Sequence, residues 1–210
     1  MNAKMQPFWW FLRSPYTYPC WYNTCESCND WTLDPELSCT LDSINKKQGD
    51  YAVKISKGAA VGSGDTFASK LSAQCAQYFG FWVRAYLPAQ NRGWNVSVYK
   101  DANHYAGVDL YFISPLTKPQ LRFRIYVEDS SVSAWIDINS LQWYWVEVSV
   151  AAALTRFYLD GVHKWDYAGA VAYPAVSVKV TGYKHLDASD VWLDWLRWYD
   201  TEEYPPSYPY

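Results

Sequence analysis

The sequence predicts an all-β chain folded as an antiparallel two-sheet jelly-roll sandwich, and three observations carry that expectation. From residue 50 onward apolar and polar residues alternate in short runs, the period of half-buried strands. Turn residues separate those runs at the short spacing of a sandwich. No amphipathic helical pattern is present, and the one helix-prone patch, residues 151–154, is too short to stand alone.

The elements follow in order. Residues 51–56 alternate and run into a Gly-rich turn at 58–64. Residues 78–87 form a long strand stopped by Pro88, and 94–99 follow a turn at 91–93. Residues 107–113 come next, with Pro115 and Pro119 bracketing the loop behind them. Residues 121–127 and 132–138 read as a hairpin across 128–131, and 145–150 precede 156–159. Asp160-Gly161 supplies the positive φ angles of a tight hairpin turn into 162–165. Residues 176–181 and 191–199 close a set of about ten or eleven strands. Trp192, Trp195 and Trp198 have helix-like spacing, but the strand reading groups Asp194, Leu196 and Trp198 on one face. Leu193, Trp195, Arg197 and Tyr199 then take the other. The ends differ in composition, which divides the chain into an N-terminal arm (1–29), a sandwich domain (30–203) and a Pro- and Tyr-rich tail (204–210).

Composition narrows the function. Half of the 210 residues are apolar, enough for a sizeable core, and the net charge of −3 gives no electrostatic case for nucleic acid and disfavours an anionic membrane surface. The apolar run at residues 8–12 is too short for a leader core or a bilayer span, so neither membrane insertion nor a cleavable leader is expected in this chain. The 13 Trp and 19 Tyr suit sheet packing, sugar platforms and interface anchors alike.

Three ordered segments resemble the laminin-G-like, concanavalin A-like lectin/glucanase superfamily. They are Asp30-Trp31-Thr32 with residues 49–55, Trp145–Val150 with the hairpin Phe157–Gly161, and the closing strand Leu193–Asp200. Together they cover roughly residues 30–200 in family order. The resemblance implies a jelly roll, and with it either carbohydrate binding or polysaccharide chemistry. Hydrolases of this kind carry Glu-x-Asp-x-x-Glu on one strand, bringing two carboxyl groups to about 5 Å. This chain has no such motif. An alginate-lyase type of site would need Gln, His and Tyr on neighbouring strands with an Arg, and His104, His163 and His185 sit in no matching motif. The expectation is therefore that the chain is not an enzyme.

The chain is expected to need no cofactor, calcium being the one ion its loop carboxylates could hold: Asp101, Asn103 and Asp109, or Asp187 and Asp190. Cys20, Cys25, Cys28 and Cys39 fall within twenty residues, with Cys75 apart. A structural zinc wants two close pairs and only Cys25 and Cys28 make one, so two disulfides and an odd thiol are expected, in an oxidising setting or a hyperthermophile. A bridge from the odd thiol to another chain stays open.

The central aromatics and one histidine, Trp94, Tyr99, His104, Tyr105, Tyr111 and Trp135, are the glycan-binding candidates. The terminal aromatics Phe8, Trp9, Trp10, Phe11, Tyr204, Tyr208 and Tyr210 are the assembly contacts, since a monomer seldom exposes such a patch. The sequence reading is a non-catalytic structural subunit of a virion or extracellular surface assembly, displaying a lectin-like jelly roll. Its partners would be further copies or other subunits, and glycans; nucleic acid is not among them. A carbohydrate-binding adhesion module is the alternative.

Overall fold

The computed structural model describes residues 21–58, 66–71, 78–87, 92–112, 117–127, 129–150, 154–169, 176–183 and 188–199. Among these residues the chain forms sixteen strands and no helix. The first five are β1 (Trp21–Asn23), β2 (Thr32–Leu33), β3 (Leu37–Asp42), β4 (Ala52–Lys57) and β5 (Thr66–Leu71). The long middle strands are β6 (Tyr78–Tyr86), β7 (Arg92–Asp101), β8 (His104–Phe112) and β9 (Gln120–Val127). Two short ones follow, β10 (Asp129–Val132) and β11 (Ile136–Asp137). The last are β12 (Tyr144–Val150), β13 (Leu154–Leu159), β14 (Val162–Ala168), β15 (Ser177–Gly182) and β16 (Ser189–Tyr199).

All the pairings are antiparallel and make two sheets. Sheet A runs β14-β13-β12-β6-β16-β4-β3, with β1 beside the far half of β16; sheet B runs β10-β9-β8-β7-β15-β5-β2, with β11 beside β9. This is the predicted two-sheet sandwich. The extra strands are ones that alternation cannot announce. β3, for example, is an edge strand with Leu37 as its one buried residue.

Alternating residues of the two inner faces form the core. Phe79, Phe81, Val83, Val146, Val148 and Phe157 of sheet A meet Val96, Val98, Val108, Leu110, Phe123 and Ile125 of sheet B. Phe157 bridges the layers, with its ring 4.9 Å from Phe123 and 5.1 Å from Trp165.

The closing strand departs from the simple alternation read in the sequence. Asp194 pairs with Trp82, but the next pair in register is Arg197 with Gly80. The intervening bulge puts Trp195 in the left-handed region, at φ +49°. As a result Leu193 and Leu196 both reach the core with no exposure, although strict alternation puts them on opposite faces.

At this bulge the outer face of sheet A is covered. Trp82 and Trp145 lie 5.3 Å apart, and Trp145 Nε1 donates to Glu147 Oε1 at 2.6 Å. All three side chains are buried. The loop before β4 folds over them, with Lys47 Nζ 4.4 Å from the Trp82 ring. The backbone N–H groups of Lys47 and Gln48 donate to Asp194 Oδ2 at 2.8 and 2.9 Å.

The N-terminal segment is partly sheet and not wholly an arm, because β1 pairs with β16 at Trp21–Trp198 and Asn23–Leu196. The Cys28–Cys39 disulfide, with Cα atoms 5.9 Å apart, ties this segment to β3. Cys25 is a buried thiol, while Cys20 and Cys75 lie outside the described residues. So do Phe8, Trp9, Trp10, Phe11, Tyr204, Tyr208 and Tyr210.

Two outcomes are expected. Phe157→Ala removes the ring that joins the sheets and should lower stability by about 3–5 kcal/mol in urea unfolding; a loss below about 1 kcal/mol would contradict the described core. Asp194 carries the second. Burial pushes its carboxyl up to about 6, against the hydrogen bonds from Gln48 and Lys47. Because the folded value lies above the unfolded one, the folded state holds the proton more tightly. Its favourable contribution is complete below the unfolded value and is lost as pH rises through about 6. Relative to Asp194→Asn, the native chain should therefore lose on the order of 3 kcal/mol between about pH 3 and 7. Parallel pH profiles for the two proteins would contradict this.

Candidate functional site

The outer face of sheet B is partly exposed, and the register of its strands orders that face into rows. The first row is Tyr126, Tyr105, Tyr99 and Ser177 across β9, β8, β7 and β15. Arg124, Gly107, Ser97 and Lys179 make the second, and Arg122, Asp109, Asn95 and Thr181 the third. Gln120, Tyr111 and Gly93 make the fourth, which Tyr183 extends through its N–H bond to the Gly93 carbonyl at 3.1 Å. The seven residues from Tyr105 to Tyr111 span about 20 Å of strand.

Asp109 is the centre of the face and has no exposed surface. Its Oδ2 accepts from Arg122 Nε at 2.9 Å and Arg124 Nε at 2.8 Å. Its Oδ1 accepts from Asn95 Nδ2 at 2.9 Å and the Tyr183 hydroxyl at 3.4 Å. Asn95 Oδ1 in turn accepts from Ser97 Oγ at 2.8 Å. A buried carboxylate survives only when paired and hydrogen-bonded, and four donors meet that condition. Burial works against the charge of Arg124, but the Asp109 carboxylate more than offsets it and holds the guanidinium above its ordinary range. Burial and then the same carboxylate push the Tyr183 phenol well above the usual tyrosine range, so it stays protonated.

Aromatic rings flank this network on both sides. Tyr105 stacks between Tyr99 at 4.6 Å and Tyr126 at 5.2 Å, and Lys179 Nζ lies 4.5 Å from the Tyr99 ring. At the other end Tyr111 meets Trp135 edge-on at 5.9 Å and Tyr183 at 4.9 Å. The Arg122 guanidinium lies 4.2 Å from the centre of the Trp135 ring. Two further residues build this end from below. Lys57, buried on the core face of β4, donates from Nζ to the Tyr183 carbonyl at 2.5 Å and so pins the chain beneath the phenol. Gly182 leaves room for the Lys57 stem and the Trp94 ring, since a Cβ there would stand 3.2 and 2.9 Å from them.

The structure thus gathers Tyr99, Tyr105, Tyr111 and Trp135 of the predicted glycan candidates onto one face. Trp94 is a correction. It pairs with Leu110, points into the core and has no exposure. Its parity already separates it from Tyr99, since residues five apart on a strand face opposite ways. His104 neighbours Tyr105 and so leaves the strand on the other side, where Nδ1 contacts Asp101 Oδ1 at 2.7 Å. Asp101, Asn103 and Asp109 do not come together. Asp101 also caps the Asn103 N–H in the β7–β8 turn, while the Asp109 carboxylate is taken by its guanidiniums. Asp190 pairs with Lys54 at 3.0 Å, and Asp187 and His185 lie outside the described residues. His163, on β14 of sheet A, contacts Asp166.

The sequence reading missed Asn95, Gln120, Arg122, Arg124, Tyr126 and Tyr183. Parity was the available signal for three of them. Arg122, Arg124 and Tyr126 alternate with the core residues Leu121, Phe123 and Ile125.

No protein-family model matches the chain, and no curated protein matches it in sequence. Solved structures do match it, over nearly their whole length. One is the endo-β-1,4-glucuronan lyase from the fungus Trichoderma reesei, at TM-score 0.62 and 13% identity, covering 88% of this chain and 96% of that one. The fold is the concanavalin A-like jelly roll. A second match is a native glycosidic hydrolase, at TM-score 0.63 and 10% identity, covering 88% of this chain and 97% of that one. A third is the Bacillus licheniformis β-glucanase, at TM-score 0.56 and 12% identity, covering 86% of this chain and 98% of that one.

These matches correct the expectation of a non-catalytic virion or surface subunit, and with it the expectation of no enzyme. All three concanavalin A-like chains are enzymes by name, two of them for a polysaccharide. The missing Glu-x-Asp-x-x-Glu strand was a poor guide, because side chains from neighbouring strands meet on one face without leaving a linear motif. Here Gln120, Arg122, Tyr111 and Tyr183 do so from three separate strand segments.

Asp109→Ala is expected to lower stability by about 3–5 kcal/mol, since it leaves two partly buried guanidiniums without their carboxylate. Urea unfolding checks it; a change below about 1 kcal/mol would contradict the central place given to this carboxylate.

Proposed function

We propose that this chain is a polysaccharide-acting enzyme that takes its substrate across the outer face of sheet B. The observation that carries the reading is Tyr183, a protonated phenol held against the Asp109–guanidinium network on the side opposite a row of stacked tyrosines. Stacked rings give sugar faces a platform, and polar groups beside them set orientation. The Tyr183 hydroxyl holds Asp109 only at 3.4 Å, so its one hydrogen can turn from that carboxylate to a departing sugar oxygen, while the guanidiniums stabilise the developing negative charge. Hydrolysis by a carboxylate pair is not what this face supports. Asp109 is already engaged with two guanidiniums, and Asp137 at the rim accepts from Gln120 Nε2 at 2.8 Å. The activities for which the glucuronan lyase and the β-glucanase are named support polysaccharide chemistry on this architecture.

The test is a panel of soluble polysaccharides assayed for new reducing ends, with ultraviolet absorbance to detect unsaturated ends made by elimination. Turnover of at least one substrate is expected. Tyr183→Phe should lower kcat at least about a hundredfold with KM little changed, the signature of a lost proton donor. Full activity in Tyr183→Phe, or no new ends from any polysaccharide, would overturn the reading.

A further inference from the structure

We propose that the sugar residues taken by this face are acidic, each presenting a carboxylate or sulfate group to the Arg122 and Arg124 guanidiniums. The inference rests on the polysaccharide reading and names the substrate class of that same face.

Charge balance is the first observation. The chain as a whole carries −3, yet among the described residues its open face gathers Arg122, Arg124 and Lys179 against Asp109, with Asp137 out at the edge row. At the centre two guanidiniums share one carboxylate, so one positive charge has no counterpart in the network. Those two side chains are only 21% and 20% exposed, so water screens that charge weakly. A partly desolvated cation in excess costs free energy until an anion joins it. An acidic ligand removes that cost, whereas a neutral glucan leaves it in place.

Geometry is the second observation. Each Nε is committed to Asp109, which fixes the plane of each guanidinium and leaves the remaining N–H donors in a set direction. Trp135 holds the Arg122 plane from one side. Planar forks of this kind match the paired oxygens of a carboxylate or sulfate. Gly107 stands opposite Arg124 and carries no side chain, while the Val96 carbonyl and Ser97 Oγ close over it from β7. Arg124 and, two strands from Gly107 in the same row, Lys179 lie next to the tyrosine row. An anionic substituent meets the guanidinium forks while its sugar ring lies toward the tyrosine row.

The experiment measures binding of the full chain to polygalacturonate, dextran sulfate and unmodified dextran, at low and high salt, for the native protein and Arg122→Gln. Arg122→Gln leaves Asp109 paired one-to-one with Arg124, so the variant should keep or gain stability. That separates lost recognition from lost folding. The expected result is binding to an anionic chain that weakens with salt and falls about tenfold or more in Arg122→Gln. Preference for polygalacturonate assigns a carboxylate and preference for dextran sulfate assigns a sulfate; either supports the proposal. Dextran bound as tightly as both, with no response to salt or to Arg122→Gln, overturns it while leaving the polysaccharide reading intact. Binding to none of the three, with no turnover of any polysaccharide, removes both.

Discussion

Asp109 has no exposed surface, and its two oxygens accept from two guanidiniums, an amide and a phenol drawn from strands β7 and β9 and the end of β15. Much of the outer face of sheet B follows from keeping that carboxylate satisfied. Arg122 stands directly opposite Asp109, but Arg124 stands opposite Gly107 and reaches Asp109 along the diagonal. A Cβ at position 107 would run into the Val96 carbonyl and Ser97 Oγ of β7. Asn95 lies opposite Asp109 on the other neighbouring strand and hands its carbonyl to Ser97. Such a network is costly when incomplete, which explains why so many of its members are at fixed positions on a rigid sheet.

The two outer faces divide the labour of the sandwich. Sheet A hides its tryptophans, Glu147 and Asp194 beneath a loop anchored by two backbone N–H bonds, so its polar groups serve stability. Sheet B leaves its tyrosines and guanidiniums half exposed above an equally complete core. The link between the faces runs through Lys57, which starts on the core side of sheet A and ends on the backbone of Tyr183. The position of the phenol is therefore set by both layers.

The fold was legible because alternation over long central strands such as β6, β9 and β12 is a local signal, and the Asp160-Gly161 hairpin marks its own turn. The bulge in β16 was not legible. Nothing in the spacing of Leu193 and Leu196 shows that Trp195 turns left-handed to bring both into the core. Half of the site could be read as aromatic content, since Tyr99, Tyr105, Tyr111 and Trp135 were singled out. The other half is long-range: Asp109, Arg124 and Tyr183 are separated by up to 74 residues and meet only through strand order. That is why no linear motif in the sequence announces this face.

Under the proposed function, substrate meets the protein at the Asp109–guanidinium network on sheet B. The most direct measurement is an NMR titration of the isotope-labelled chain with an acidic oligosaccharide, following arginine Nε–H, tyrosine ring and tryptophan indole signals. The Arg122, Arg124 and Tyr105 signals should shift together, while the Trp82 and Trp145 indoles stay in place. Shifts confined to the sheet A tryptophans, with Arg122 and Arg124 unchanged, would contradict it.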